Sequence, residues 1–181
     1  MPSVVLLGTL DTKGVEYAFL RDRLREREVD VLVVDAGVNE PVGIEPDIGR
    51  AELAPNVAEL AAAGDRGAAV TAMAEGAERV VKQLHADGRL DGILALGGSG
   101  GSSIATRAMR ALPVGVPKLM VSTVASGDTR PYVGAVDVTM MYSVVDISGV
   151  NRVSARIMAN AAGAICGMVE ATVPELDTKP L

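Results

Sequence analysis

A chain of 181 residues with 49% hydrophobic and 22% charged side chains has the composition of a globular domain with one buried core, and no apolar run reaches bilayer-spanning length. Its formal charge of −6 and 2% aromatic content remove the basic surface and stacking platforms that nucleic-acid binding uses, so no nucleic-acid partner is expected. One cysteine, Cys166, and one histidine, His85, exclude an internal disulfide, a cysteine metal cluster and a histidine-rich metal site, which leaves oxygen ligands for any divalent ion.

Met1-Pro2-Ser3-Val4 enters an apolar run without a basic segment or cleavage site, so the expected compartment is the cytoplasm, with no membrane partner. Residues 3–7 form that run, closed by Gly8, in the pattern of a strand buried on both faces. Over 15–28, Val15, Ala18, Phe19 and Leu24 recur at helical spacing among charged residues. A second strand follows at 31–34 and ends at Asp35. The stretch 39–55, with three prolines and two glycines, reads as an irregular surface excursion. Ala69, Ala72, Met73, Gly76, Val80 and Leu84 then mark a long amphipathic helix over 66–84, closed by Asp87-Gly88.

The second half continues the alternation. Strands are expected at 93–96, 118–122 and 136–141, with a short helix at 104–112. The last helix, 151–168, carries Val153, Ile157, Ala161, Ala164, Ile165 and Met168 on one stripe. Short buried strands joined by helical crossovers imply right-handed βαβ units. The expected fold is therefore α/β: a three-layer, Rossmann-like domain over 1–170, with a mainly parallel sheet and helices on both faces. Residues 171–181, with two prolines, read as a linker or the start of a second domain.

Ligands of such sheets bind outside the carboxyl ends of the strands, and three strand-to-helix loops there are unusual. The segment 97–103 is Gly97-Gly98-Ser99-Gly100-Gly101-Ser102-Ser103. Without a Cβ, its backbone N–H groups can approach a phosphate closely, and the next helix adds partial positive charge. A tight turn capped by Ser102 or Ser103 is the plain alternative. The segment also matches G-x-S-x-G around Ser99, but the single His85 precedes the serine and leaves no triad within this chain.

The loop 8–14, Gly8-Thr9-Leu10-Asp11-Thr12-Lys13-Gly14, offers hydroxyls from Thr9 and Thr12, a cation from Lys13 and a carboxylate from Asp11 for a metal or hydroxyl. Its spacing is neither a Walker A loop nor G-x-G-x-x-G, and a helix entry capped by Asp11 or Thr12 remains open. Asp35 stands where dinucleotide folds place an acid for ribose hydroxyls, or serves a turn before Ala36-Gly37. In the loop 122–131, Thr123, Ser126 and Gly127 accompany Asp128, a candidate cation ligand, and Arg130, whose guanidinium forks onto phosphate or carboxylate. A local Asp128–Arg130 surface pair is the alternative. Of the aromatic residues, only Tyr17, Phe19, Tyr132 and Tyr142 are available to stack on a base, which is expected to sit mostly among aliphatic groups.

The segments 8–14, 97–103 and 121–134, with Met140-Met141-Tyr142-Ser143-Val144-Val145-Asp146, together resemble the Tm-one-like ATP-binding family, named for the tomato mosaic virus resistance protein. The likeness runs over nearly the whole chain. It implies the N-terminal, nucleotide-binding half of a two-domain protein, binding ATP, with magnesium, in those three loops; Asp11 and Asp128 are the expected metal ligands. Its expected partners are a nucleotide and the second half of the protein. Two other functions stay open: an enzyme for a phosphorylated or carboxylated small molecule with Asp128 and Arg130 at its centre, and a homo-oligomerising module built on Met140-Met141 and the last helix.

Overall fold

The computed structural model of the protein describes residues 1–174. Five strands, β1 (Ser3–Gly8), β2 (Asp30–Asp35), β3 (Gly92–Gly97), β4 (Lys118–Ser122) and β5 (Thr139–Tyr142), form one sheet in the order β2-β1-β3-β4-β5. Every neighbouring pair is parallel. The chain moves outward from β1 to β2 and, in the opposite direction, from β3 through β4 to β5, so the topological switch point lies between β1 and β3.

Alternation along the strands builds two cores. Val5, Leu7, Ile93 and Ala95 face α4 (Arg66–Ala86) and α5 (Ser99–Arg110), and the short α2 (Arg50–Leu53) and α3 (Val57–Ala63) pack on this side. Val4, Leu6, Leu94 and Leu96 face α1 (Leu10–Arg25) and α7 (Arg152–Glu170). The three-layer α/β architecture expected from the alternation is present, with a sheet that is parallel throughout. The remaining helix, α6, is the short turn Arg130–Val133.

Several boundaries differ from the sequence expectation, and the reasons are local. The first helix begins at Leu10 rather than Val15, with a single non-helical residue at Lys13 (φ −131°, ψ 16°). Helix α5 begins at Ser99 rather than residue 104, so Gly100 and Gly101 sit in its first turn. Glycine is tolerated there because first-turn amides have no intrahelical acceptor to lose. The stretch 39–55 contains α2, and α3 follows it. At the far edge, β5 starts at Thr139; Val138 packs into the core just before the strand.

The amino edge of the sheet holds a buried cation. The Lys118 side chain is fully buried, and its ammonium donates to Pro113 O, Val116 O and the Asp137 carboxylate at 2.7, 2.7 and 2.8 Å. Helix α7 opens with Asn151 Oδ1 accepting from the backbone of Val153 and Ser154, while Ser154 Oγ accepts from Asn151 N. Residues 171–174 have no regular structure, and the rest of the expected linker, 175–181, lies outside the described residues. Among the described residues no helix is long and apolar enough to cross a membrane.

Candidate functional site

The site begins where a ladder stops. Strands β1 and β3 pair only through Val4–Gly92, Val5–Ile93 and Leu6–Leu94, and beyond that point they diverge toward their carboxyl ends. Tyr17 of α1 fills the gap: its hydroxyl donates to Leu7 O at 2.6 Å, accepts from Leu96 N at 2.8 Å and lies 2.9 Å from Leu96 O. Complete burial holds the phenol protonated, above its ordinary range. Gly8 is what admits the ring, since a Cβ there would stand 2.0 Å from Tyr17 Cζ and Oη.

Above this plug opens a cleft of about 540 Å³, bounded by the starts of α1, α4 and α5. The start of α5 contributes Gly98, Ser99, Gly100 and Gly101 to its lining. The first intrahelical bond of α5 runs from Ser102 N to Gly98 O at 2.8 Å. The N–H groups of Ser99, Gly100 and Gly101 precede it and find no acceptor among the described residues. Thr9, Asp11, Thr12 and Lys13 line the cleft from α1, and Asp146 from the segment after β5. The lining also includes aliphatic residues, Leu60 and Ala61 from α3, Ala69 and Val70 from α4, and Ile104 from α5, with Asp65 and Arg66 at the start of α4. Three amides without acceptors in a cavity that also has aliphatic lining can hold an anionic group and an apolar group of one ligand.

The structure thus joins two of the three expected loops, 8–14 and 97–103, in one cavity. Within them the roles differ. Thr9 Oγ1 lies 3.1 Å from Thr12 Oγ1, which in turn donates to Thr9 O. Lys13 Nζ donates to Ile147 O, so its charge is engaged with a carbonyl. Asp11 Oδ2 accepts from Val38 N, Asn39 N and Asn39 Nδ2 at 3.2, 3.1 and 3.3 Å, clamping the chain after β2 against α1. Ser102 does not face the cleft: it is fully buried, with Oγ 2.7 Å from Ser122 Oγ, and Ser103 Oγ turns back to Ser99 O. Gly97 ends β3 against Gly101, beneath the helix start.

Asp35 is also placed differently from the ribose-binding expectation. Only 1% exposed, it lies below the cleft, its Oδ1 accepting from Leu10 N at 3.2 Å and Gly37 N at 2.8 Å, while Oδ2 is buried without a partner. Burial raises its carboxyl above the ordinary value, with the nearby Asp11 adding to the shift. Tyr17, the plug, is unavailable for stacking. Phe19 lies under the Arg23 guanidinium at 5.3 Å, and the cleft has no aromatic lining residue.

The third loop stays outside the cleft lining. Thr123 Oγ1 stands 3.7 Å from where a Gly98 Cβ would be, and Gly127 closes a turn onto Val124 O. Asp128 accepts two guanidinium bonds of 2.8 Å from Arg130 and a third from the Arg130 backbone. That guanidinium holds Asp128 below the usual carboxylate range, and the Arg130 side chain is 90% exposed. The surface-pair alternative describes this geometry. Among the described residues no group of three or more His, Cys, Asp or Glu side chains gathers as a metal cage. His85 follows the long run of α4 away from Ser99 and approaches Leu90 O at 3.4 Å, which removes a serine–histidine pair.

Over residues 2–174 the chain matches the family described as the N-terminal domain of uncharacterised protein family UPF0261. It belongs to that family. It is 49% identical over 183 residues to a UPF0261 protein of Clostridium tetani, covering 98% of this chain and 45% of that protein. A UPF0261 protein of Mesorhizobium japonicum is 44% identical over 99% of this chain and 45% of its own length. The ToMV resistance protein Tm-1(GCR237) of Solanum lycopersicum is 35% identical over 93% of this chain and 25% of its own length. The chain spans about half the length of the bacterial UPF0261 relatives it matches, and corresponds to part of longer proteins.

The α3 part of the cleft lining is not legible in the sequence. Residues 57–63, Val-Ala-Glu-Leu-Ala-Ala-Ala, carry no clear apolar period, and their position beside α4 is tertiary. Arg66 was legible only as the start of a helix. Asn39, four residues past the end of β2, lies within the irregular stretch 39–55 and is placed at the carboxyl edge only by the sheet.

Proposed function

We propose that the cleft binds ATP or a related nucleotide, with its phosphates on the amides of Ser99, Gly100 and Gly101 and its base against Leu60, Ala61, Ala69, Val70 and Ile104. The observation that carries this reading is the presence of three amides without acceptors at the β1/β3 switch point, at the mouth of a cavity in the size range of small-molecule sites. The resemblance read from the sequence points to the same ligand.

Magnesium fits as the companion of the phosphates rather than as a resident of a protein cage, because that ion keeps several waters and takes one or two carboxylates plus substrate oxygens. Asp11, Asp65 and Asp146 are the carboxylates that line the cleft; Asp11 has committed one oxygen to the 38–39 backbone and Asp65 one to Ala68 N. The protein's own work is to supply fixed dipoles and an apolar surface, with the Thr9 hydroxyl as a further donor. Titration calorimetry of the full-length protein with ATP, GTP and NAD, each with and without magnesium, tests the reading. Saturable binding that inorganic pyrophosphate competes away is expected; absence of heat with every phosphate-bearing ligand overturns it.

A second reading, self-association, is favoured by Tyr142, Val144, Val150 and Val153, which are 42%, 59%, 40% and 46% exposed within one stretch around the end of β5. A concentration-independent monomer in sedimentation velocity excludes it.

A further inference from the structure

We propose that Glu16 is a positioning residue of the cleft: from α1 it fixes the segment between β5 and α7, and so sets where the Asp146 carboxylate stands toward a nucleotide and its magnesium. The inference rests on nucleotide binding in the cleft and adds the device that holds one part of the rim.

Residues 143–150 cross from the end of β5 to the start of α7 without regular structure. They begin with a tight turn, in which Val145 N donates to Ser143 O at 2.7 Å around Val144, whose φ of 65° is costly for a β-branched side chain. Strain of this kind persists only where the surroundings over-determine the backbone, and here α1 does so. Lys13 Nζ donates to Ile147 O, and Glu16 Oε1 accepts from Gly149 N at 2.6 Å. The two side chains, three residues apart on α1, thus meet a carbonyl and an amide two residues apart, each with the charge its partner's dipole calls for. Ile147, 4% exposed, anchors the same segment in the core, and its neighbour Asp146 lines the cleft.

Glu16 is an expensive residue for packing alone. It is 3% exposed on the face of α1 that buries Tyr17, Leu20 and Leu24, where an apolar side chain would join the core without losing the hydration of a charge. What the carboxylate gains in exchange is its bond to Gly149 N. Gly149 is itself exposed, so water would satisfy that amide equally well. The bond therefore matters for where it holds the chain, and a shift of 147–149 carries Asp146 with it.

The test is calorimetry of full-length wild type, Glu16→Met, Glu16→Gln, Asp146→Asn and the double variant of Glu16→Met with Asp146→Asn, using ATP with and without magnesium. Glu16→Met keeps the length of the side chain and removes the acceptor. About tenfold weaker binding of ATP with magnesium is expected, and less than about twofold change without it. Glu16→Gln keeps an acceptor for Gly149 N and recovers most of the affinity. The double variant should bind no more weakly than Asp146→Asn alone, since Glu16 acts through that carboxylate. Without ligand, Glu16→Met should melt at or above the wild-type midpoint, while its Gly149 amide exchanges hydrogen faster than in wild type or Glu16→Gln. Additive losses, an equal loss with and without magnesium, unchanged affinity or exchange, or an unfolded Glu16→Met each overturn the positioning role and leave the nucleotide site standing. Wild-type ATP binding that magnesium does not strengthen overturns it as well. A wild type that binds no ATP under either condition overturns the underlying reading, and this inference falls with it.

Discussion

Two loops with several hydroxyl side chains leave the same edge of the sheet, one after β3 and one after β4, and they end in opposite conditions. After β3 the chain passes through Gly97 and Gly98 into a 12-residue helix whose first amides open onto the cleft. After β4 it turns through 123–129 into the four-residue α6, and there the carboxylate of Asp128 and the guanidinium of Arg130, two residues apart, satisfy each other. Donors are left for a ligand only where geometry stops them from finding an internal partner. Backbone amides in a helix's first turn meet that condition, and flexible opposite charges on adjacent turn residues do not.

The sharpest way to break the contrast is to remove the architecture beneath the first loop. Gly8→Ala places a methyl 2.0 Å from a Tyr17 ring that is fixed by hydrogen bonds to both strands. Overpacking of this kind is expected to cost about 3 kcal/mol in denaturant unfolding, and an unchanged midpoint would mean that the plug is dispensable. Next in size is Gly100→Val, whose Cβ meets nothing nearer than Arg66 Nη2 at 3.9 Å and whose methyls are expected to crowd the amides. Calorimetry should show nucleotide affinity reduced about tenfold or more in a folded protein.

A smaller effect comes from Asp35, whose folded-state carboxyl is raised above 3.8 by burial. The folded protein then holds more protons than the unfolded chain over the window that starts at 3.8, so this group's contribution is full below that pH and is lost as pH rises through the folded value. Asp35→Asn keeps an acceptor for Leu10 N and Gly37 N and abolishes the slope. The unfolding free energy of wild type minus variant should fall with pH across that window and then level; a difference flat from pH 3 upward would refute it. The least effect is expected at the second loop, where replacing both Asp128 and Arg130 by alanine should leave nucleotide affinity and melting temperature unchanged. Loss of binding there would restore the third loop to the site.

What could be read from the residues divides along the same line. Strands such as Lys118–Ser122 and the run over α4 announce themselves, because burial on both faces and a 3.6-residue period are properties of consecutive residues. The carboxyl-edge rule singles out 8–14, 97–103 and 122–131; the first two line one cleft and the third stays outside it. The start of α5 was hidden because glycine's poor helix propensity describes helix interiors, not first turns. Asp35 carries the same letter whether it meets a ribose or lies under Leu10, and Tyr17 reads as an aromatic able to stack on a base, not as a spacer between strands. Which side of a loop reaches solvent is decided by packing between elements far apart in the chain.

The phenol of Tyr17 has one more consequence. Because β1 and β3 are held apart by a side chain that belongs to neither, the aperture of the cleft is set from the far side of the sheet, by where α1 rests on α7 and the strands. Anything that displaces α1 would travel through this spacer to the rim before a guest arrives. The entrance is gauged by the core, and its loops inherit the spacing.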